Sequence, residues 1–290
     1  MTARASFQGW RERATAVGTA VAWLALFSAV GIGLTLLLEA MTPAVGGRAW
    51  WLARNGLAQL VGFAGATVVV GYWLNRHSWE RMGWRFDRGF PRRALRGTAI
   101  GMVLAGLAMV LALVTGGAVV RRAPDLAAWP GTAGPLGLGL LAAALAEELW
   151  FRGYPLRRLA EAIGPVAAIA AASIAFGIAH LGNPNASIFS TLNIVLAGVW
   201  LSLAFFSPGG MPFAWGLHFG WNSALALVFD APVSGYAFGL PGLEYVPGSR
   251  GWIDGGRFGP EGGLVGTVAL AAGVLIVLGR GYNARPAWLA

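Results

Sequence analysis

The chain contains no cysteine and no lysine. The first absence excludes thiol catalysis, disulfides and cysteine-bound zinc. The second leaves arginine as the carrier of all 21 basic side chains, and with the abundance of Ala and Gly it points to a GC-rich, bacterial coding sequence. Charge of either sign is scarce: 11% of residues are charged and 57% hydrophobic, with a mean hydropathy of +0.63. That charged share is under half the globular average, which excludes an ordinary soluble domain and leaves a polytopic membrane protein. A net charge of +9 would suggest a nucleic-acid surface in a soluble chain. Here no soluble basic domain is left to bind nucleic acid, and arginines that flank apolar runs act as topology signals. Three catalytic signatures are missing as well. There is no helical H-E-x-x-H and no G-x-S serine loop, and Asp230 is the only aspartate near a span.

What is present is a succession of apolar runs. The basic stretch from Thr2 to Ala14 leads into apolar residues from Thr15 to Leu38, longer than a signal-peptide core and therefore read as a retained first span. A second span runs from about Trp51 to Leu74. The segment from Asn75 to Arg96 then carries seven arginines among Trp79, Met82, Trp84, Phe86 and Phe90, and reads as a cytoplasmic loop with aromatic anchors. Gly97 to Val120 is the third span, with Gly97, Gly101 and Ala105 spaced for close helix approach. A loop with Pro124, Pro130 and Pro135 leads to the fourth, Gly134 to Phe151. Gly153 to Gly164 reads as a short basic helix along the inner surface. Further spans follow at Val166 to Leu181, Ser187 to Phe206, from Pro212 onward, and Gly263 to Leu278, the last two separated by a Gly/Pro-rich loop from Ala231 to Gly262. With eight alternating spans and a cytoplasmic tail bearing Arg280 and Arg285, the inner segments hold fifteen arginines and the outer loops five. Both termini are therefore expected in the cytoplasm. The expectation is an all-α, single membrane domain over 1–290, with about eight transmembrane helices enclosing an intramembrane cavity and a motif-bearing core at 134–229.

The polar residues inside those spans are the functional candidates. Glu147 and Glu148 are adjacent where hydrocarbon is expected, and a carboxylate at the centre of a membrane helix costs roughly 2.5–3.5 kcal/mol. Glu148 and Arg152 are four apart and share a helix face, whereas Glu147 is turned about 100° away. One acid thus has a partner in its own helix and the other does not. His180 and His218 lie within spans, and Asn222 is in register with His218. These groups are tolerable in lipid only if they converge. Three chemistries could use them: a water activated by Glu147 and His180 with His218 and Asn222 as oxyanion donors, a zinc site of two histidines and a glutamate, or a transporter proton relay. The missing zinc signature, the poor ligand quality of Asn222 and the lack of paired broken helices favour the first.

The set Glu147-Glu148-x-x-x-Arg152, Phe176-x-x-x-His180 and His218-x-x-x-Asn222, with EELWFRGYPLRRL around the first, resembles the motifs of the CPBP family (CAAX proteases and bacteriocin-processing enzymes), the glutamate-type intramembrane endopeptidases. The resemblance implies an eight-helix membrane fold with a conical cavity open to the cytoplasmic leaflet, and metal-free, cofactor-free cleavage of a membrane-embedded or lipid-anchored peptide or protein. It implies Glu147 as general base with His180, His218 and Asn222 as the oxyanion site, and Glu148, Arg152 and Phe176 as supports. The expected partners are such a substrate and the lipid bilayer, not nucleic acid, and the expected location is the bacterial cytoplasmic membrane. A non-catalytic membrane scaffold or bacteriocin-immunity protein is the alternative, with a zinc metallopeptidase below it.

Overall fold

The computed structural model describes residues 3–43, 46–122 and 126–279. Pro124, Arg280, Arg285 and the C-terminus lie outside the described residues. Apolar runs with no water to satisfy their backbone must close their hydrogen bonds internally, and the described chain is accordingly almost all helix. The helices are α1 (Ala3–Met41), α2 (Arg48–Ala66, continued by a π-helical Thr67–Leu74), α3 (Phe90–Leu111, continued by Ala112–Gly116), α4 (Trp129–Phe151), α5 (Gly153–Ile163), α6 (Pro165–Ala179), α7 (Ile188–Phe206), α8 (Gly210–Ser223, continued by Ala224–Val228), the short α9 (Gly251–Asp254) and α10 (Leu264–Gly279). Five stretches are long and apolar enough to cross a membrane: Glu12–Met41, Arg48–Leu74, Phe90–Gly116, Trp129–Ile163 and Ile188–Phe206. The polytopic all-helical expectation holds; α6 and α10 are apolar but shorter.

Several expected boundaries move for identifiable reasons. The third helix begins at Phe90 rather than Gly97, because Pro91 sits in its first turn and the arginines that follow are carried on helix rather than loop. It is finished by Gly116, and Gly117 turns the chain at φ +76°. Val119–Arg122 (β1) then pairs antiparallel with Leu243–Val246 (β2), so Val119 and Val120 belong to a two-stranded sheet and not to a span. The fourth helix starts at Trp129, with Pro130 in its first turn and Pro135 inside it. Ser187 caps α7 through a capping box with Ser190. α5 does not lie on the surface as a basic helix. Tyr154, Leu156 and Arg157 are buried in it, and it packs against α1 and α6.

Small residues set the helix pairs that position the site. Gly97 and Gly101 of α3 lie against the backbone of Phe213 and Leu217, while Gly216 and Gly220 of α8 lie against the carbonyls of Ala94 and Thr98. A methyl added at any of the four would stand 2.4 Å or less from a carbonyl oxygen, so α3 and α8 run parallel in direct backbone contact. Gly56 of α2 meets Gly139 and Ala143 of α4 in the same way. α6 and α7 are antiparallel, with Gly177 against Thr191 and Val195 and Gly198 against Ser173.

These pairings give the bundle two distinct ends. At one, the 75–89 loop meets the 207–210 turn through Met211 N–H donating to Gly83 carbonyl at 3.0 Å, and meets α5 through His77 and Glu161 at 3.3 Å. At the other, the 181–187 and 231–262 loops close on each other and on α2. Asn183 donates to Ser234 carbonyl, Arg48 to Ala237 carbonyl, and Trp51 stacks on Tyr236 at 6.0 Å.

Candidate active site

The break between α4 and α5 falls at Arg152, one turn after Glu148, so the last turn of α4 presents both glutamates while α5 departs beneath them. Glu148 is fully buried. Its Oε1 accepts from Arg152 Nη1 at 3.2 Å and from His218 Nδ1 at 2.9 Å. Arg152, also fully buried, has its guanidinium carbon 4.2 Å from the centroid of the Phe176 ring. That ring lies 4.5 Å from the His180 ring, meets His218 edge-on at 6.2 Å, and the Phe176 carbonyl accepts from His180 Nδ1 at 2.7 Å. Phe176 is thus the common wall of the cluster.

The ring hydrogen bonds fix which nitrogen faces the cavity. A carbonyl only accepts, so His180 Nδ1 carries the proton and Nε2 points away from its own helix. The Glu148 carboxylate does the same for His218. Both free Nε2 atoms converge on one oxygen, Glu147 Oε2, at 3.9 Å for His180 and 3.8 Å for His218. Those separations are too long for direct hydrogen bonds and are the span that a shared water bridges. Glu147 retains 27% side-chain exposure while Glu148 has none.

Glu147, Phe176, His180, His218 and Asn222 all line one cavity of about 250 Å³. Glu148 and Arg152 stand behind its wall. All seven residues singled out from the sequence are therefore brought together by α4, α6 and α8. No group of three or more His, Asp or Glu among the described residues is arranged to hold a metal ion.

Sequence reasoning missed the roof. Trp51, Asn183, Ser234, Tyr236, Phe238 and Glu261 also line the cavity, most of them from the loops. Glu261 is buried, and its carboxylate accepts from Trp221 Nε1 at 2.8 Å and from both the N–H and the hydroxyl of Ser234. Burial pushes this carboxyl upward, against the Ser234 N–H and the Trp221 indole, which favour its ionised form. Its backbone carbonyl accepts from Asn193, whose side-chain oxygen accepts from Thr267. The available signal was the 231–262 loop itself, since connections of that length are seldom idle.

Residues 129–224 match the family model described as type II CAAX prenyl endopeptidase Rce1-like. The matched third of the chain runs from the start of α4 to the end of α8 and contains every motif residue above. No curated protein matches the chain. With its three motifs on α4, α6 and α8 in a polytopic helical fold, the core of this chain is similar to the Rce1-like, type II CAAX prenyl endopeptidase family.

Proposed function

We propose that the chain is an intramembrane endopeptidase that hydrolyses a peptide bond of a membrane-associated substrate. The observation that carries this reading is the contrast within one helix turn. Glu148 is neutralised by Arg152 and His218, while Glu147 offers an oxygen to two imidazole Nε2 atoms in the cavity. In the proposed reaction a water held by Glu147 and His180 attacks the substrate carbonyl carbon and gives its proton to Glu147. The carbonyl oxygen becomes an oxyanion that accepts from the Asn222 amide and from His218, whose ring in this step carries a proton on Nε2 as well as the Nδ1 proton given to Glu148. When the intermediate collapses, the carbon–nitrogen bond breaks and the proton passes from Glu147 to the departing amine.

Arg152 and Phe176 act on this chemistry only by holding the others. Arg152 pairs with Glu148, Glu148 orients His218, and Phe176 orients His180. The test is cleavage of membrane peptides by the purified protein beside Glu147→Gln, located first by comparing the membrane proteomes of cells that make each. Peptide ends present only with the parent support the proposal; identical proteomes and equal turnover overturn it. Strong chelators are expected to leave cleavage unchanged. Loss on chelation with recovery on adding zinc would transfer the site to a metallopeptidase mechanism.

A further inference from the structure

The arginine-rich 75–96 segment carries a hollow that none of its arginines lines. The hollow measures about 410 Å³ and is walled by Tyr72, Trp79, Trp84 and Phe86 together with Ser78 and Glu80. A tight turn builds it. Gly83 takes φ +88°, its N–H donates to the Glu80 carbonyl at 3.0 Å, and the Trp84 N–H donates to the Trp79 carbonyl at 2.8 Å, which fixes the spacing of the two tryptophans. Tyr72 stacks on Trp79 at 5.6 Å and Phe86 on Trp84 at 5.7 Å. Trp79 and Phe86 then meet edge-on at 6.1 Å with 72° between their planes, so the hollow has ring surface on two sides.

The charge in this wall is opposite to that of the segment around it. Seven arginines lie between Arg76 and Arg96, yet the charged wall residue is Glu80. Asp87 pairs with Arg93 at 2.9 Å and Glu161 of α5 collects Arg81, Arg157 and Arg158, whereas Glu80 has no ion pair among the described residues. Among the described residues no arginine of the segment stacks on these rings either; the cation–π contacts are those of Arg152. Arginine lines a separate hollow of about 270 Å³ at the same end, where Arg93 and Arg96 meet the 207–209 turn.

Aromatic faces are negative and attract cations, alkyl and quaternary ammonium groups among them, and a carboxylate beside the rings adds to that attraction. The same charges disfavour an anion. An uncharged hydrocarbon could cover the rings, but it would also cover the Glu80 carboxylate and give it no partner. Position then narrows the source of the ammonium. Tyr72 lies in the last turn of the membrane-crossing stretch Arg48–Leu74, and Trp73 and Leu74 beside it are exposed. An acyl chain along that end of the helix brings its headgroup to the level of Trp79 and Glu80.

We infer that this hollow binds the ammonium of a zwitterionic phospholipid, an ethanolamine or choline headgroup, from the leaflet on the arginine-rich side. The rings and Glu80 select the ammonium, since the phosphate is common to anionic lipids as well. The loop that carries the hollow is fastened to the start of α8 by the Met211 N–H on the Gly83 carbonyl, and to α5 by His77 and Glu161. A bound headgroup therefore steadies elements on both sides of the bundle core, and the melting temperature reports it.

The test titrates purified protein in maltoside detergent with phosphatidylethanolamine, phosphatidylcholine and phosphatidylglycerol of identical acyl chains, and with free choline. Melting temperature and, by native mass spectrometry, retained lipid are read for each. The expected result is that an ethanolamine or choline lipid raises the melting temperature and stays bound, while free choline at the same concentration does neither. Glu80→Gln and Tyr72→Leu, both at exposed positions, should each weaken that binding about 2–5-fold, the range for one exposed ion-pair or cation–π contact. Phosphatidylglycerol has the phosphate without the ammonium, so its binding should be no weaker in either variant than in the parent. Trp73→Leu is the control: Trp73 is 63% exposed beside Tyr72 but is not part of the wall, and its replacement should leave the affinity for the zwitterionic lipid unchanged. An equal loss in Trp73→Leu would make the rings ordinary interfacial anchors and overturn the inference. Affinity unaltered in both wall variants, or an equal weakening of phosphatidylglycerol, would overturn it too. Free choline bound as tightly as the lipid would assign the hollow to a soluble amine instead.

Discussion

At the arginine-rich end, acids are neutralised by cations. Glu161 accepts from Arg157 at 3.0 Å and Arg158 at 3.3 Å, with His77 and Arg81 at 3.3 and 3.5 Å, and Asp87 pairs with Arg93 at 2.9 Å. At the opposite end, called the mouth end, where the 181–187 and 231–262 loops close on each other, acids are held by neutral donors. Leu240 N–H donates to Asp230, Gly256 and Gly248 N–H to Asp254, and Ser234 and Trp221 to Glu261. Cations there would draw the loops into ion pairs; backbone donors instead fold each loop around its own carboxylate and leave the cavity free of competing charge. Glu148, with Arg152, belongs to the first kind. Glu147 belongs to neither, since Oε2 is buried and has no hydrogen-bond partner among the described residues. The comparison therefore leaves Glu147 as the acid of the cavity that no donor holds, in contrast to Glu261, and each can be neutralised in turn to test it.

The largest effect is expected at Glu147. Glu147→Gln keeps the shape and removes the base, so cleavage should fall at least ~100-fold, the low end for lost general-base help, while expression and melting stay near the parent. Full turnover in the purified variant would show that an uncommitted acid is no sign of catalysis here. Glu148→Gln should behave differently, because it strands the Arg152 charge behind the cavity wall. Breaking a buried pair costs about 3–5 kcal/mol, so melting and activity should drop together. A Glu148→Gln protein with parental melting but no activity would exchange the roles of the two glutamates.

The difference between those two acids was legible before the structure, and for a physical reason. Glu148 and Arg152 are one helical turn apart, and a pairing fixed by helix periodicity can be read from spacing alone. The Gly97 and Gly101 stripe was legible for the same reason, although not that its partner would be a matching stripe at Gly216 and Gly220. Convergence of His180 and His218 on Glu147 could be anticipated only from the cost of isolated polar groups in lipid. The contacts that escaped are those made by loops. Polarity excluded Ala231 to Gly262 from being a span, and nothing local to that stretch says that Ser234 and Glu261 close over the site. The same holds for β1, where Val119 and Val120 extend an apolar run but are paired by Val246 and Tyr245 far along the chain.

A middle-sized effect is expected at the roof. Glu261→Gln leaves an oxygen that can accept from Trp221 or Ser234 but turns an amide N–H₂ toward the other donor, so one charge-assisted bond is lost and one repulsive contact made. Hydrogen bonds to charged groups contribute about 1.5–3 kcal/mol, and a loss in that range should loosen the 231–238 segment over the cavity. Since Glu261 holds the roof and is not proposed to take part in bond breaking, KM for a peptide substrate should rise more than kcat falls. A variant with unchanged KM and a kcat loss as large as that of Glu147→Gln would move Glu261 into the reaction and end the division between mouth-end and catalytic acids.

The smallest effect concerns Asp230, and its sign follows from how the mouth end holds its acids. Burial raises this carboxyl from 3.8 to about 6, with the nearby Glu244 adding to the rise, while N–H groups of Leu240 and Gly239 pull it back. An acid whose folded pKa lies above its unfolded value binds its proton more tightly when folded. Its stabilising contribution is complete below about 3.8 and is lost as the pH rises through about 6. Asp230 is only partly buried, so solvent screening should keep the effect below ~1 kcal/mol. Thermal unfolding in detergent between pH 4 and pH 7 should therefore show a decline that Asp230→Asn reduces, because an amide does not titrate. Arg93-paired Asp87 supplies the contrast: its carboxyl is held below the usual range, chiefly by the Gly89 N–H and, after opposition from burial, by Arg93. Asp87→Asn should leave the pH 4 to 7 interval unaltered or remove stability toward its neutral end. If Asp230→Asn and Asp87→Asn changed the profile in the same direction, the two ends of the bundle would not differ in how they hold a carboxylate.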